Sequence, residues 1–184
     1  MTANEHERLR LFLALRLPEP VLDSVVEWQV ARLGSRPGLR VVSRDHLHVT
    51  LAFLGHRPRA ELEPIVDALR DAAAGVGGAH LRLTVSRYRE TRSVAMLVLD
   101  DPGGGAARLA GDVQERLERL GAYRREGRPW LPHLTVARFR ERPGLRLDPP
   151  DTGTFVPSDA AAYLSRLHPG GARYEVLETV LLGG

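Results

Sequence analysis

The spacing of apolar positions along the chain predicts three amphipathic helices separated by short strands. Apolar residues recur at helical intervals over residues 19–33, 59–74 and 106–120, which predicts a helix in each segment. Short apolar or alternating runs predict strands, and Gly55 is expected to close the third of them. The predicted strands cover residues 10–17, 39–42, 47–54, 80–88, 93–99, 131–139, 154–156, 160–168 and 172–182.

The order of these elements favours an α+β fold built from mostly antiparallel sheets. Several strands follow one another through short turns, so they do not all belong to the strand–helix–strand units of a parallel sheet. Each half of the chain also contains a strand, a helix and a further strand that carries a histidine. No long linker divides the chain, and we expect residues 1–184 to form a single domain.

Two of the predicted strands carry the same short motif. Thr50 lies two residues after His48, and Thr135 lies two residues after His133. Because side chains alternate along a strand, each histidine shares a face with its threonine, while apolar residues occupy the other face. Two such pairs in matching apolar strands indicate a shared function. The alternative is a pair of half-buried histidines that only hydrogen-bond neighbouring hydroxyl groups.

The composition excludes several classes of chemistry. The sequence has no cysteine, which excludes disulfides, thiolate nucleophiles and iron–sulfur clusters. Its 26 basic residues are all arginine, so it lacks the lysine of a phosphate-binding Walker loop, of a Schiff base and of an ATP-dependent ligase. The net charge of +3 permits a nucleic-acid partner without requiring one. The charged N-terminus and the lack of a long apolar run favour a soluble cytoplasmic protein.

Two histidines can perform an in-line displacement at phosphorus without a metal. The reaction needs a base on the attacking oxygen and an acid on the leaving oxygen. Two imidazoles with pKa values near 6.5 provide both near neutral pH. Threonine hydroxyls can donate to the phosphoryl oxygens on which negative charge accumulates. His48 and His133 therefore predict phosphoester chemistry that needs no cofactor.

The chain resembles the two-histidine phosphoesterase superfamily, and within it the bacterial and archaeal RNA 2′,3′-cyclic phosphodiesterases, also called 2′-5′ RNA ligases. The resemblance is carried by RDHLHVTLAFLG and RPWLPHLTVARFR around the two motifs, and supported by RLRLFLAL and GARYEVLETVLL near the ends. It implies a bilobal fold in which two pseudo-symmetric antiparallel sheets line a cleft, with helices outside and lobes that intertwine. It also implies an enzyme that hydrolyses RNA 2′,3′-cyclic phosphate ends to 2′-phosphates, at a site open to the reverse 2′-5′ ligation.

The resemblance further implies roles for five residues of this sequence. His48 and His133 become the catalytic acid and base, in an order that the sequence leaves open. Thr50, Thr135 and Arg138 become phosphate-binding groups. Strict alternation puts Arg138 on the face opposite His133, so a bulge, a strand end or a long side-chain reach must bring its guanidinium round.

Two alternatives concern other residues of the sequence. His46 and His48 form a His-x-His pair that could bind a metal, but further ligands and clustered carboxylates are missing, so no metal site is expected. Phe12, Tyr88 and Tyr163 could stack on a nucleobase, although core packing is the favoured interpretation of each.

The expected partner is RNA with a 2′,3′-cyclic phosphate end, including tRNA fragments or small nucleotides, and the protein is expected to act as a monomer away from membranes. Two other functions compete with this one. The first is a non-catalytic RNA-binding module, against which the intact His-x-Thr pairs argue. The second is a phosphodiesterase for small cyclic or 2′-5′-linked nucleotides, which the motifs do not distinguish because they contact only the phosphate.

Overall fold

The structure is a computed structural model that describes residues 7–34, 36–77 and 80–183. The strands are β1 Arg8–Arg16, β2 Arg40–Val41, β3 Val49–Pro58, β4 Leu83–Glu90, β5 Val94–Asp100, β6 His133–Arg138, β7 Thr154–Phe155, β8 Asp159–His168 and β9 Gly171–Val180. The helices are α1 Glu19–Arg32, α2 Leu62–Val76 and α3 Gly105–Arg119. The helices and strands expected from the sequence are present, with ends displaced by a few residues.

The strands form one antiparallel sheet, which confirms the predicted α+β fold. Their order is β7-β4-β5-β6-β3-β1-β8-β9, and β2 pairs with β6. The two expected sheets are the halves of this sheet, joined where Val49 of β3 pairs with Leu134 of β6. Beyond that pair, β2 takes the place of β3 beside β6, with Val41 opposite Ala137. The two halves are therefore continuous only through a narrow junction.

The third strand does not end at Gly55, so that prediction is wrong. β3 continues to Pro58 and keeps pairing with β1, with Gly55 opposite Leu11. Gly55 has a φ of +66° beside a register shift in this strand pair. Because glycine adopts that conformation without a steric cost, the strand bends at Gly55 and pairing then resumes.

The centre of β1, residues 11–15, is apolar because both of its faces are covered. Leu11 and Leu13 belong to the main hydrophobic core. Phe12 and Ala14 point to the opposite face and pack with Tyr163 in a second, smaller cluster. A sheet with one solvated face would place a polar residue at every second position. The apolar run therefore supplies two cores, one on each face of the sheet.

Two helices cross from one half of the sheet to the other. Helix α1 follows β1, yet the ring of its Trp28 lies 6.0 Å from that of Tyr88 in β4. Helix α3 follows β5, yet its Gln114 donates a hydrogen bond to the carbonyl of Leu51 in β3. Helix α2 packs beside α3. Within the described residues, no helix is both long enough and apolar enough to cross a membrane.

Candidate active site

The two motif strands meet at the centre of the sheet. The backbone pair that joins β3 to β6 lies between the residues that follow the two histidines. Side chains alternate along each strand, so His48, Thr50, His133 and Thr135 all point to the face opposite that pair. The antiparallel register brings His48 towards Thr135 and Thr50 towards His133. The four polar side chains of the motifs therefore share one surface.

The two imidazole rings are held in the same way. The Nδ1–H of His48 donates to the carbonyl of His46 at 2.7 Å, and the Nδ1–H of His133 donates to the carbonyl of Leu131 at 2.8 Å. Because a carbonyl only accepts, Nδ1 carries the proton in both rings. Each neutral ring therefore leaves Nε2 unprotonated and able to accept a proton, and each cationic ring offers an Nε2–H.

The Nε2 atoms of the two rings have different surroundings. Nε2 of His48 lies 3.1 Å from Oγ1 of Thr50, which donates to it while the ring is neutral. Burial lowers the pKa of His48 from 6.5 to about 4, despite the opposing hydrogen bond to the carbonyl of His46. The electrostatic effects of His133, His46 and Arg138 contribute smaller shares of the same decrease in pKa. The expectation that both histidines titrate near pH 6.5 is therefore wrong for His48, which is neutral at pH 7.

A cleft of about 580 Å³ opens on this face of the sheet, a volume within the usual range of small-molecule sites. His48, Thr50, Thr135 and Arg138 all line it. His133 lies outside this lining, half-buried at the start of β6. The strand register nevertheless places His133 opposite Thr50, whose hydroxyl contacts Nε2 of His48.

A β-bulge turns Arg138 towards the cleft. The register of β6 against β5 slips between Thr135 and Ala137, which leaves Val136 as an extra residue. Val136 and Ala137 are both fully buried, so alternation resumes one residue late. Arg138 consequently shares the face of Thr135 and lines the cleft. A bulge is one of the three ways in which Arg138 was expected to reach the face of His133.

The other motif strand contains the same bulge. The register of β3 against β1 slips between Thr50 and Ala52, so Leu51 is the extra residue. Positions 51 and 136, like the histidines at positions 48 and 133, are 85 residues apart. Phe53 then lines the cleft at the position that corresponds to Arg138. The two motif strands therefore share a β-bulge at equivalent positions but present different side chains to the cleft after it.

A buried glutamine contacts each bulge. Nε2 of Gln29 in α1 donates to the carbonyls of Val136 and Val42, each at 2.9 Å, and so joins the bulge to the end of β2. Nε2 of Gln114 in α3 donates to the carbonyl of Leu51 at 2.9 Å. The two glutamines are only 2% and 8% exposed, and they too are 85 residues apart. A buried amide with such partners is costly to remove, by about 1–3 kcal/mol.

Aromatic rings form the floor beneath His48. The ring of Phe12 lies 4.9 Å from that of His48 and stacks on Tyr163 at 4.8 Å, while Tyr174 meets His48 edge-on at 5.6 Å. Phe12 and Tyr163 are 3% and 6% exposed, which agrees with core packing rather than base stacking. Tyr88 lies in β4, in the other half of the sheet and outside the cleft lining. The rings remove water from His48 and so account for its low pKa.

His46 also lines the cleft. Its ring packs against Tyr174, with centroids 4.4 Å apart, and its carbonyl holds Nδ1 of His48. In the part of the chain that the structure describes, no three histidine or carboxylate side chains converge as metal ligands would.

Three further cleft residues were missed in the sequence. The guanidinium of Arg10 lies 4.7 Å from the ring centroid of Phe53 and donates to Oγ of Ser165 at 2.5 Å. Arg40 of β2 also lines the cleft. The 85-residue offset from Arg138 is a signal that could have found Phe53. No local signal marks Arg10 or Arg40, because their placement depends on which strands pair.

Curated relatives match almost the whole chain. The sequence is 33% identical over 183 residues to a Thermus thermophilus protein named RNA 2′,3′-cyclic phosphodiesterase, covering 96% of this chain and 91% of the relative. An Escherichia coli protein of the same name is 28% identical over 173 residues, covering 94% of this chain and 96% of the relative.

Solved structures share the fold. A Thermus thermophilus protein superposes with a TM-score of 0.81 and 31% identity, over 96% of this chain and 99% of that one. Escherichia coli LigT in complex with 3′-AMP superposes with a TM-score of 0.79 and 26% identity, over 97% of this chain and 100% of that one. The family description that matches residues 17–149, a segment containing both motifs, is the 2′-5′ RNA ligase superfamily. This chain, with two histidine strands joined across one cleft, belongs to the 2′-5′ RNA ligase superfamily.

Proposed function

We propose that the chain hydrolyses the 2′,3′-cyclic phosphate end of an RNA to a 2′-phosphate. The observation that carries this proposal is the matched pair of histidines, each with Nδ1–H bound to a backbone carbonyl and Nε2 left for proton transfer. Relatives that cover more than nine-tenths of the chain are named RNA 2′,3′-cyclic phosphodiesterase, which supports the same substrate class here.

In the proposed reaction His48 is the base and His133 is the acid. The low pKa of His48 keeps its ring neutral at pH 7, so Nε2 accepts a proton from the attacking water. As the water oxygen bonds to phosphorus, the bond between phosphorus and the 3′-oxygen breaks, and Nε2–H of His133 protonates that oxygen. The products are a 2′-phosphate and a 3′-hydroxyl. The proton gained by His48 then leaves to solvent, and His133 regains one.

The remaining site residues bind the phosphoryl oxygens. Thr50 and Thr135 donate hydroxyl hydrogen bonds on either side of the junction between the motif strands, where negative charge accumulates in the transition state. Arg138 contributes a charge-assisted hydrogen bond from the same face. A hydroxyl has one proton, so Thr50, which donates to Nε2 of His48 in the empty site, turns to the phosphoryl oxygen when substrate binds and leaves Nε2 free for the proton of the attacking water.

Ligation uses the same groups. A 5′-hydroxyl that takes the place of the attacking water gives up its proton to the base and bonds to phosphorus, the 3′-oxygen leaves as a protonated hydroxyl, and a 2′-5′ bond forms, although water at its bulk concentration favours hydrolysis. Small cyclic or 2′-5′-linked nucleotides are the competing substrates of the same site. Both motifs come from one chain, so a single copy suffices, in keeping with a monomer that acts on RNA ends in the cytoplasm.

The decisive experiment is a hydrolysis assay without metal or nucleotide. The protein is incubated with an oligoribonucleotide that ends in a 2′,3′-cyclic phosphate, in excess EDTA and without ATP. We expect a product heavier by one water that carries its phosphate on the 2′-oxygen, as measured by mass spectrometry and phosphorus NMR. Binding without turnover would identify a non-catalytic module. Activity that is lost in EDTA and restored by zinc or manganese would overturn the two-histidine scheme.

A further inference from the structure

The cleft carries more positive charge than a terminal cyclic phosphate can neutralise. Its lining contains the guanidiniums of Arg10, Arg40 and Arg138 and, among the described residues, no carboxylate. Arginine keeps its charge at any pH relevant to the enzyme. A 2′,3′-cyclic phosphate is a diester with a single negative charge. Two guanidiniums therefore remain for other groups of the substrate.

Arg10 and Arg40 differ in what holds them. Arg10 lies over Phe53 and donates to Ser165, so its guanidinium is already engaged. Arg40 is exposed and forms no ion pair within residues 7–34, 36–77 and 80–183. It lies directly opposite Arg138 in the pairing of β2 with β6. Arg40 is therefore the guanidinium that is both available and next to the phosphate-binding Arg138.

The pairing of Arg40 with Arg138 is unfavourable in the empty cleft. Residues directly opposite each other in an antiparallel pair have Cβ atoms about 5 Å apart, and like charges at such positions are destabilising. Two anions bound side by side would convert this repulsion into attraction. Consecutive phosphates of a nucleotide chain are such anions, since they repeat every few ångströms along the backbone.

We propose that Arg40 binds the phosphate on the 5′ side of the terminal nucleotide while Arg138 binds the cyclic phosphate. This proposal rests on the proposed function and narrows its substrate class. The preferred substrate is a 2′,3′-cyclic nucleotide that carries a further phosphate on its 5′-oxygen, as the last nucleotide of any RNA does. A nucleoside 2′,3′-cyclic phosphate lacks that group and leaves Arg40 unpaired.

Two substrates that differ by one phosphate test the proposal. They are adenosine 2′,3′-cyclic phosphate and its 5′-phosphorylated form. At low salt we expect kcat/KM to be about tenfold or more higher for the second, because a charge-assisted hydrogen bond to phosphate is strong. Arg40→Gln should bring the ratio of the two kcat/KM values close to one. Arg36→Gln, which removes an exposed arginine outside the cleft, is the control and should keep the ratio.

The outcomes separate this proposal from the proposed function. If neither of them nor an oligoribonucleotide with a 2′,3′-cyclic phosphate end is hydrolysed, the proposed function is wrong. If only the oligoribonucleotide is hydrolysed, the proposed function stands and the 5′-phosphate site at Arg40 is wrong. If the wild type hydrolyses both with equal kcat/KM, or if Arg40→Gln keeps the preference, the 5′-phosphate site at Arg40 is wrong. Loss of the preference in Arg10→Gln alone would assign the phosphate to Arg10 and would also overturn the proposal. Added salt should reduce the wild-type preference, since it screens the exposed Arg40.

A second inference concerns Gln29, whose amide contacts the backbone beside both arginines. Val136, at the bulge, accepts one of its hydrogen bonds two residues before Arg138, and Val42 accepts the other two residues after Arg40. We infer that Gln29 is a positioning residue for the cleft arginines, and that it acts through the backbone of β2 and β6. It touches no substrate itself, being buried in α1.

A double-mutant cycle tests the role of Gln29. Gln29→Met removes both hydrogen bonds at nearly constant volume, and we expect KM for the cyclic phosphate to rise more than kcat falls. In that background the effect of Arg138→Gln should shrink, because the guanidinium is already misplaced. The matched control is Gln114→Met, which removes the equivalent bond at Leu51 and should leave the effect of Arg138→Gln intact.

One result would show that Gln29 stabilises the fold without positioning Arg138. If Arg138→Gln lowers kcat/KM by the same factor in the Gln29→Met protein as in the wild type, the two positions act independently and the inference is wrong. Gln29→Asn is the milder variant for the same cycle if Gln29→Met does not fold.

Discussion

The two halves of the sheet are built alike around the histidines and differ in the side chains that they present to the cleft. The unit β1–α1–β3 recurs as β5–α3–β6, with the histidine, the bulge and the buried glutamine each displaced by 85 residues. The side chain after the bulge is Phe53 in one half and Arg138 in the other. The scaffold is thus duplicated around the two histidines, and it diverges at the first cleft-lining side chain after each bulge.

The halves also differ in the segment that comes after the motif strand. After β3, the chain forms α2, which packs beside α3. After β6, residues 139–153 contain no helix or strand. This connector is held by the carboxylate of Glu90, which accepts hydrogen bonds from the N–H groups of Gly144 and Leu145 and from the hydroxyl of Tyr88. The segment after β6 is therefore held by the buried carboxylate of Glu90, whereas the segment after β3 is held by the packing of α2 beside α3.

Removing either histidine should have the largest effect and tests whether the duplication is functional. His48→Ala and His133→Ala should each lower kcat by about 10²–10⁴-fold, because each removes one proton transfer. The double variant should be little slower than the slower single variant, since the pair acts as a unit. Both effects are measured on an RNA that ends in a 2′,3′-cyclic phosphate.

His56→Ala is the matched control for the histidine variants. His56 lies in β3, the strand that begins directly after His48, but outside the cleft lining, so the variant should turn over like the wild type. Near-normal turnover in either His48→Ala or His133→Ala would mean that the site uses one histidine rather than two.

Replacing the two divergent residues sharpens the comparison. Arg138→Gln should lower kcat/KM by about 10–100-fold, because a hydrogen bond to a charged group contributes about 1.5–3 kcal/mol. Phe53→Leu should have a smaller effect, since it removes the ring beneath Arg10 rather than a phosphate contact. Steady-state kinetics on one cyclic-phosphate substrate measures both. Equal losses in the two variants would contradict the division of roles between the halves.

The histidines and threonines could be predicted because their signal is local. Alternation along a strand fixes the shared face of His48 and Thr50, and the repeat of the motif needs no knowledge of the fold. Arg138 was harder, because strict alternation directs it away from the cleft. The bulge that corrects this is held by Gln29, more than a hundred residues earlier in the chain. Only the 85-residue offset that relates Gln29 to Gln114 marks that contact in the sequence.

The rest of the cleft depends on topology that the sequence does not encode locally. Arg10 and Arg40 reach the cleft because β1 pairs with β3 and β8, and because β2 pairs with β6. The prediction that Gly55 closes a strand failed for a related reason. Glycine marks both strand ends and bulges, and only the continued pairing with β1 decides between them.

The pH dependence of kcat/KM tests whether His48 is the base. The expected change is smaller than that caused by the substitutions above. The base His48, with a pKa of about 4, stays neutral well below pH 6. An imidazole with a pKa of 6.5 would be about 90% protonated at pH 5.5. We therefore expect kcat/KM not to fall by more than about twofold between pH 7 and pH 5.5. A tenfold loss at pH 5.5 would show that the base has an ordinary pKa and would contradict the assignment of His48.

Substrate binding should shift the acid limb of the pH profile of kcat relative to that of kcat/KM. A bound phosphate anion favours the imidazolium form and raises the pKa of His48, so the acid limb of kcat should lie at higher pH than that of kcat/KM. Coincident limbs would mean that the phosphate does not bind close to His48.

Glu90→Gln tests whether the carboxylate of Glu90 holds the connector of residues 139–153. The variant should leave turnover unchanged. Burial raises the pKa of Glu90, but hydrogen bonds from Tyr88, Leu145, Arg142 and Gly144 outweigh it, so the pKa lies below its usual 4.5. A carboxylate with a lowered pKa stabilises the fold above pH 4.5, and this contribution is lost as the pH falls through the folded-state pKa. Glu90→Gln should therefore lower the free energy of unfolding by about 1–3 kcal/mol at pH 7, and by less in acid, as measured by urea denaturation. A loss of stability that is the same at pH 7 and pH 3 would mean that the shape of the side chain, not its charge, holds the connector.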